Sequence, residues 1–473
     1  MSNPFKSVCH HSTNSNLSLL LAIPNHKHIA FIAVSPMSTS SAQPQLDRTL
    51  GPFLLWGLGV GYVISGMYFG WNLGLAQGGT LGLAVATGAI IVLYLCFTFC
   101  YTELACAIPK AGGAFDYAVR ALGKDWGFLG GMAQNIEFIF APPAIAFAIG
   151  AYVNIFFPMV PPAATAVVAY LIFTGLNISG VKLAASFELV VTIVAVAGLL
   201  AFAGATLPAF EWQNLERNAL PNGWAGVFAA LPFAIWFFLG IEGVANVAEE
   251  TINPRRNVLI GFGSAILTLV LLCVLTFAAA VGVDGWERIV YPETGAAASD
   301  SPLPLALAHV VGAVHPLYRI VTFIGLFGLI ASFHGIILAA GRATFEFGRV
   351  GFAPAVLGRV HPRFKTPANA LLVNGIIGIV AVLTGKTAEI ITIACFGALT
   401  LYIVSMAALL VLRKKEPLLE RPFRAPLYPW STWTALIIAS VALIAMTCYN
   451  LILALFYFGL LLLAFTWFKF QKT

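Results

Sequence analysis

The chain has 473 residues, 60% of them hydrophobic and only 9% charged, with a mean hydropathy of +0.91 and a formal net charge of +6. Soluble domains carry roughly a quarter charged residues, so an ordinary water-soluble domain is excluded and the lipid bilayer is expected to be the main solvent. The positive balance does not point to nucleic acid, because the basic residues fall in short loops between apolar runs, where orientation signals lie.

Residues 1–50 are polar, with His10, His11, His26 and His28 and a serine-rich stretch at Ser38–Ser41. The patch Leu17–Ile23 is too short and wrongly flanked for a secretory signal. This composition reads as a disordered cytoplasmic tail rather than a metal-binding one. Met37 is a candidate start, since organised sequence begins near Gly51. Twelve apolar spans follow, placed near 52–78, 82–106, 127–156, 162–179, 183–206, 225–248, 257–283, 316–341, 368–384, 388–412, 432–449 and 451–468. Pro109 to Gly113 closes the second, Asn253-Pro254-Arg255-Arg256 closes the sixth, and Trp430 and Trp433 open the eleventh in aromatic-belt fashion. The seven cysteines (Cys9, Cys96, Cys100, Cys106, Cys273, Cys395 and Cys448) lie mostly within spans and follow no extracellular framework spacing, so no disulfide is expected.

Orientation follows from counting charge. With the N-terminus in the cytoplasm, Lys110, Arg120, Lys124, Lys182, Arg255, Arg256, Arg342, Arg349, Arg359, Arg363, Lys365, Arg413, Lys414, Lys415, Arg421, Arg424, Lys469 and Lys472 all fall inside. Arg217, Arg288, Arg319 and Lys386 fall outside or at the outer ends. This asymmetry puts both termini in the cytoplasm. The loop near 284–315, with Asp284, Glu287, Glu293 and Asp300, suits the opposite face.

Two spans are interrupted. Gly57 to Trp71 and Phe233 to Ala245 are glycine-rich within runs long enough to cross the bilayer, and each glycine gives up about 1 kcal/mol of helix propensity. Unwound backbone is tolerated in hydrocarbon only where it lines a protein cavity. A pair of broken spans in corresponding halves marks a transporter's solute site. Spans 1–5 and 6–10 therefore read as inverted repeats (51–206 and 225–412). Residues 413–473 add two further spans and a short tail. The chain contains no P-loop, no HExxH and no CxxC pair, so nothing in it argues for an ATPase, a hydrolase, a metal or another cofactor.

Several ordered motifs carry a resemblance. Ile64-Ser65-Gly66 resembles the Gly-Ser-Gly break of the amino acid–polyamine–organocation (APC) transporters. Tyr101-Thr-Glu103 with Ile108 to Tyr117, Ile241-Glu242-Gly with Ala248 to Pro254, and Arg413 to Phe423 are similar to motifs of that superfamily, and together they cover about residues 51–468. Glu137 to Ala146 and Ser332-Phe-His-Gly-Ile-Ile337 resemble the ethanolamine permease branch. The resemblance implies an all-helical membrane protein with a five-plus-five inverted repeat. It also implies solute recognition at broken helices 1 and 6.

The expected solute-binding residues are Ile64, Ser65, Gly66, Met67, Glu137, Trp236 and Gly240. In the parent superfamily the first break resembles a nest of N–H groups for an amino acid carboxylate, but here Ile64 replaces the first glycine. A β-branched residue disfavours φ > 0, so the departure favours an amine without a carboxylate, with simple packing of Ile64 as the plainer reading. Glu137, an intramembrane carboxylate, is read as the ammonium partner or as interhelical glue. Glu242 beside the second break is read as the proton-coupling group. Glu249 and Glu250, near Arg255 and Arg256, read as a gate or a solvated ion-pair cluster. Trp236, Phe237 and Phe238 are candidates for cation–π cover or for packing, and Tyr62 and Tyr68 share that ambiguity. His334 is either a proton relay or a neutral, hydrogen-bonded histidine. The expectation is a non-enzymatic secondary transporter of the inner (cytoplasmic) membrane that imports ethanolamine or a similar amino alcohol with a proton. The alternatives are an amino acid permease of the same fold and a solute-sensing receptor.

Overall fold

A computed structural model describes residues 48–110, 112–179, 184–293 and 295–470. The tail expected over residues 1–50 falls almost wholly outside the described residues, as do Lys182 and Lys472 of the charge count. Backbone groups in hydrocarbon must be satisfied within their own segment, and the chain answers with helices. Among the described residues the one β-bridge pairs Leu50 with Thr251.

Among the described residues, nine helices are long and apolar enough to cross a bilayer: Asn72–Ala107, Lys124–Phe156, Pro162–Ser179, Ala184–Thr206, Pro254–Asp284, Pro316–Arg349, Thr387–Lys415, Trp430–Tyr449 and Leu451–Phe470. They correspond to spans two, three, four, five, seven, eight, ten, eleven and twelve. The ninth span is the 15-residue helix Ala368–Val382. Spans one and six are missing from the long helices because both are broken, as the sequence leads one to expect. Span one runs as Pro52–Val63 and Ser65–Tyr68, then enters the next helix at Asn72. That helix kinks at Gly79 (φ 65°), so spans one and two meet with almost no loop. Span six is Gly223–Ala229, Leu231–Trp236 and then a tight 3₁₀ run, Ile241–Glu250.

Helical structure also appears where the sequence suggests only loops. Ala114–Leu122 lies between spans two and three, with Asp116 in its first turn and Arg120 in its last, the signs that suit a helix dipole. Trp286–Val290 and Pro302–Val311 fold within the long acidic loop.

The basic loops gather at one end of the bundle. There Glu103, 1% exposed, receives Arg413 through Nε (2.8 Å) and Nη2 (2.6 Å), Arg421 Nε at 3.2 Å, and the Ala425 N–H at 2.7 Å. A buried carboxylate with this many donors is compensated in a way that a lone one is not. At the same end, the N–H groups of Thr49 and Leu50 donate to the Glu250 carbonyl, and Ile252 N–H donates to Leu50 O (2.9 Å). The segment entering span one is thereby clipped to the exit of span six.

The opposite end is closed by the acidic loop. Asn72 Nδ2 donates to Ser299 O at 2.7 Å, and Thr387 Oγ1 donates to Asp300 Oδ2 at 3.3 Å. Asp300 keeps some exposure to solvent, but protein crowds its carboxyl, and this desolvation raises its pKa to about 6. The folded loop holds its proton up to that pH, whereas the unfolded loop releases it near the ordinary aspartate value of 3.8. Stability is therefore highest below both values, falls as pH rises between them, and is flat above. Asp300→Asn, which keeps an acceptor for Thr387, is expected to remove that slope in thermal unfolding measured across the same pH range.

Candidate functional site

The two interruptions lie against each other in the interior, and residues 57–75 and 230–248 are buried throughout. The first is opened by a side chain. In an unbroken helix Ser65 N–H would bond to the Gly61 carbonyl. Instead Ser332 Oγ, from span eight, donates to Gly61 O (2.6 Å) and accepts from Ser65 N–H (2.9 Å). A hydroxyl inserted in the i→i−4 ladder is a recognised cause of a break. The residue at the break, Ile64, is right-handed (φ −59°, ψ −23°). The non-helical backbone comes five residues later, where Phe69 is fully extended (φ −161°, ψ 173°) and Gly70 takes φ 88°. The expected unwinding at Ile64-Ser65-Gly66-Met67 is thus a single helical turn, Ser65–Tyr68, bounded by a hydroxyl bridge on one side and an extended residue on the other. The argument from Ile64 and positive φ does not apply at that position, because the left-handed residue is Gly70.

The second interruption turns on Gly240, whose φ of 96° places it in the left-handed region. A Cβ there would meet nothing closer than 3.7 Å, so the glycine answers to backbone conformation rather than space. Trp236 ties the two breaks together. Its Nε1 donates to Phe69 O at 3.1 Å and its ring meets Phe69 edge-on, while Phe237 stacks on Trp71 at 5.6 Å. Gly66 packs flush on this strap, since a Cβ there would sit 2.5 Å from the Trp236 carbonyl oxygen. Trp236 is therefore a fastening between the breaks, with its N–H already used.

Glu137 and Glu242 face each other. Both are fully buried, and each carboxyl acts electrostatically on the other. Glu137 comes from the middle of span three, where Gly397 of span ten lets that helix approach: a Cβ on Gly397 would lie 2.6 Å from Ala133 O and 2.8 Å from Glu137 N. Glu242 opens the 3₁₀ run just past Gly240. Its Oε2 accepts from Tyr402 OH (3.0 Å), and Tyr402 OH is 2.9 Å from Tyr94 OH, which reaches Ile235 O at 3.4 Å. Neither oxygen of Glu137 nor Oε1 of Glu242 has a donor in ordinary hydrogen-bond geometry, although the Gly240 N–H acts on the Glu137 carboxyl. One turn further along the 3₁₀ run, both side-chain polar atoms of Asn246 and the hydroxyl of neighbouring Tyr101 are likewise unmet. Buried polar groups are nearly always paired, so this concentration of unmet ones marks a place built for a polar partner. Two carboxyls in contact at this depth cannot both carry charge.

The remaining expected residues sit elsewhere. Met67 is buried in the short turn, and its carbonyl accepts from Trp71 Nε1 (3.1 Å). Glu250 pairs with Arg342 of span eight (2.9 Å) rather than with Arg255 or Arg256, and Arg255 pairs with Glu420. The side chain of Glu249 lies outside the described residues. Tyr62 packs against Gly335 and Gly243, while Tyr68 donates to Ala195 O (2.7 Å). Sequence reasoning missed Tyr402 and Tyr94, which look like any aromatic in an apolar span. It also missed Glu188 on span five, which the same argument that singles out Glu137 would have found.

Apolar spanning helices, two facing breaks and a buried acid pair beside the second of them define a secondary transporter of the broken-helix type. The comparisons agree. The profile described as amino acid permease matches residues 50–466. An uncharacterized transporter of Rhizobium meliloti (strain 1021) is 28% identical over 448 residues, covering 89% of this chain and 94% of its own. The methylthioribose transporter of Bacillus subtilis (strain 168) is 28% identical over 83% of this chain and 88% of its own. The branched-chain amino acid permease of the same organism is 25% identical over 83% and 87%. The chain belongs to the amino acid permease family of the APC superfamily and is a transporter, not an enzyme.

Proposed function

We propose that this carrier imports a small amine lacking a carboxylate, with ethanolamine the best fit, by alternating access coupled to a proton. The basic end of the bundle faces the cytoplasm of an inner membrane. The observation that carries the reading is the Glu137–Glu242 pair with its unmet oxygens, an arrangement suited to an ammonium or a proton and hostile to a second anion. The first break supports it. The N–H groups of Ile64, Ser65 and Met67, which would receive a carboxylate, already bond to Val60 O, Ser332 Oγ and Ile64 O. In this reading Glu137 takes the ammonium and Glu242 holds the coupling proton, with Tyr402 and Tyr94 orienting Glu242. The Glu250–Arg342 pair and the Leu50–Thr251 clip form the inner gate.

The names of the relatives favour one other reading, an amino acid substrate. Proteoliposomes with and without an inward proton gradient decide between the two. Radiolabelled ethanolamine is expected to accumulate only with the gradient, and unlabelled alanine is expected not to compete. Accumulation of alanine or leucine with ethanolamine ignored would establish the amino acid reading instead.

A further inference from the structure

Between the acid pair and the basic end of the bundle, a further set of buried polar atoms is bare. Asn246, four residues past Glu242 on the 3₁₀ run, is 2% exposed, and neither its Oδ1 nor its Nδ2 is hydrogen-bonded. Tyr101, near the basic end of span two, is fully buried with its hydroxyl equally unmet. The two converge on the turn that closes span two. A Cβ on Gly113 would lie 2.5 Å from Asn246 Oδ1 and 3.1 Å from the Tyr101 hydroxyl. Gly113 takes φ 56° and opens the helix Ala114–Leu122 without a side-chain cap, and the Ala114 N–H acts on the same hydroxyl.

The ring of Tyr101 is held in place while its hydroxyl is left bare. Phe97 stacks on it at 4.9 Å, and Tyr117 and Phe262 meet it edge-on at 5.4 and 6.3 Å. A buried amide and hydroxyl without partners are exceptional. Asn246 and Tyr101 each offer a donor and an acceptor and carry no charge. The partner they fit is therefore a neutral group that also does both, of which a hydroxyl is the simplest. An ammonium alone would leave the Asn246 amide donor bare. A 3₁₀ run rises about 2 Å per residue, so Asn246 stands about 8 Å beyond Glu242. A solute with its ammonium on an acid and a hydroxyl two carbons away can bridge that gap.

We propose that Asn246 and Tyr101 form a second solute station on the basic-end side of the acid pair, which takes the solute's hydroxyl as it passes toward the cytoplasm. The inference rests on the amino alcohol reading of the first site and adds the residues that read the second functional group. Gly113 leaves the place open because it has no side chain, since any Cβ there would stand where that hydroxyl must go.

The test presents radiolabelled ethanolamine to the two ends of the full-length protein separately, in right-side-out and inside-out membrane vesicles. Asn246→Leu and Tyr101→Phe each delete a hydrogen-bonding partner. Both are expected to raise the half-saturating concentration from the basic end about 3- to 10-fold relative to that from the opposite end. Ethylamine keeps the ammonium and lacks the hydroxyl, so its inhibition from the basic end is expected to be equal in wild type and variants. A wild-type ratio between the two ends in both variants overturns the proposal, as does an equal loss for ethylamine. If Asn246→Leu does not insert, Tyr101→Phe, which keeps the ring and its packing, decides alone. Wild type that ignores ethanolamine from both ends overturns the amine reading and this station with it, whereas wild-type transport with an unmoved ratio in the variants overturns the station alone.

Discussion

Glu242→Gln is expected to abolish proton-driven accumulation of radiolabelled ethanolamine while leaving a folded, inserted protein. The amide keeps the shape of the carboxyl and still accepts from Tyr402 OH, but it can neither hold a proton against Glu137 nor release one. The expected loss is ~30-fold or more in rate or affinity, which corresponds to about 2 kcal/mol. Glu137→Gln is expected to act differently, weakening solute binding by a similar factor at every pH, because the ammonium loses its partner while Glu242 still titrates. Tyr402→Phe removes one hydrogen bond to a charged group, about 1.5–3 kcal/mol, and should fall between wild type and Glu242→Gln. Initial rates and solute affinities across pH in proteoliposomes separate the three. Wild-type rate and pH dependence in Glu242→Gln would remove this residue from the coupling machinery.

Gly66→Ala is expected to cost nearly all transport, although it adds a single methyl group. That methyl would stand 2.5 Å from the Trp236 carbonyl oxygen and 3.1 Å from Phe237 Cα. Both are backbone-fixed, so no side-chain rotation relieves the clash, and overpacking of this kind costs about 1–3 kcal/mol or more. The strain falls on the strap that seats the two breaks. Gly88→Ala is the control: a Cβ there meets nothing within 4 Å, and its uptake should match wild type. Equal uptake by Gly66→Ala and Gly88→Ala would mean that the breaks do not need this contact during the cycle.

The Glu250–Arg342 pair shows what residue spacing conceals. Glu250 and Arg255 are five positions apart and look like partners, yet Glu250 turns to Arg342 and Arg255 to Glu420. The tyrosine pair behind Glu242 joins positions 94 and 402, and no local pattern distinguishes those two rings from others in their spans. Glu188 is a different case. An acid inside the fifth span is as conspicuous as Glu137, and only its pairing with His334 needed the fold to be seen.

The sequence by itself determined that this chain dissolves in lipid, that it crosses many times, and that spans one and six are broken. Those properties depend on composition and on runs of one residue kind, which solvent reads directly from the chain. The tertiary structure alone decided where the first break is held open, by Ser332 across 267 positions of sequence, and that two carboxyls from different spans meet. In hydrocarbon a polar group must find its partner wherever the packed helices place one, and that place is a property of three-dimensional contact rather than of order along the chain.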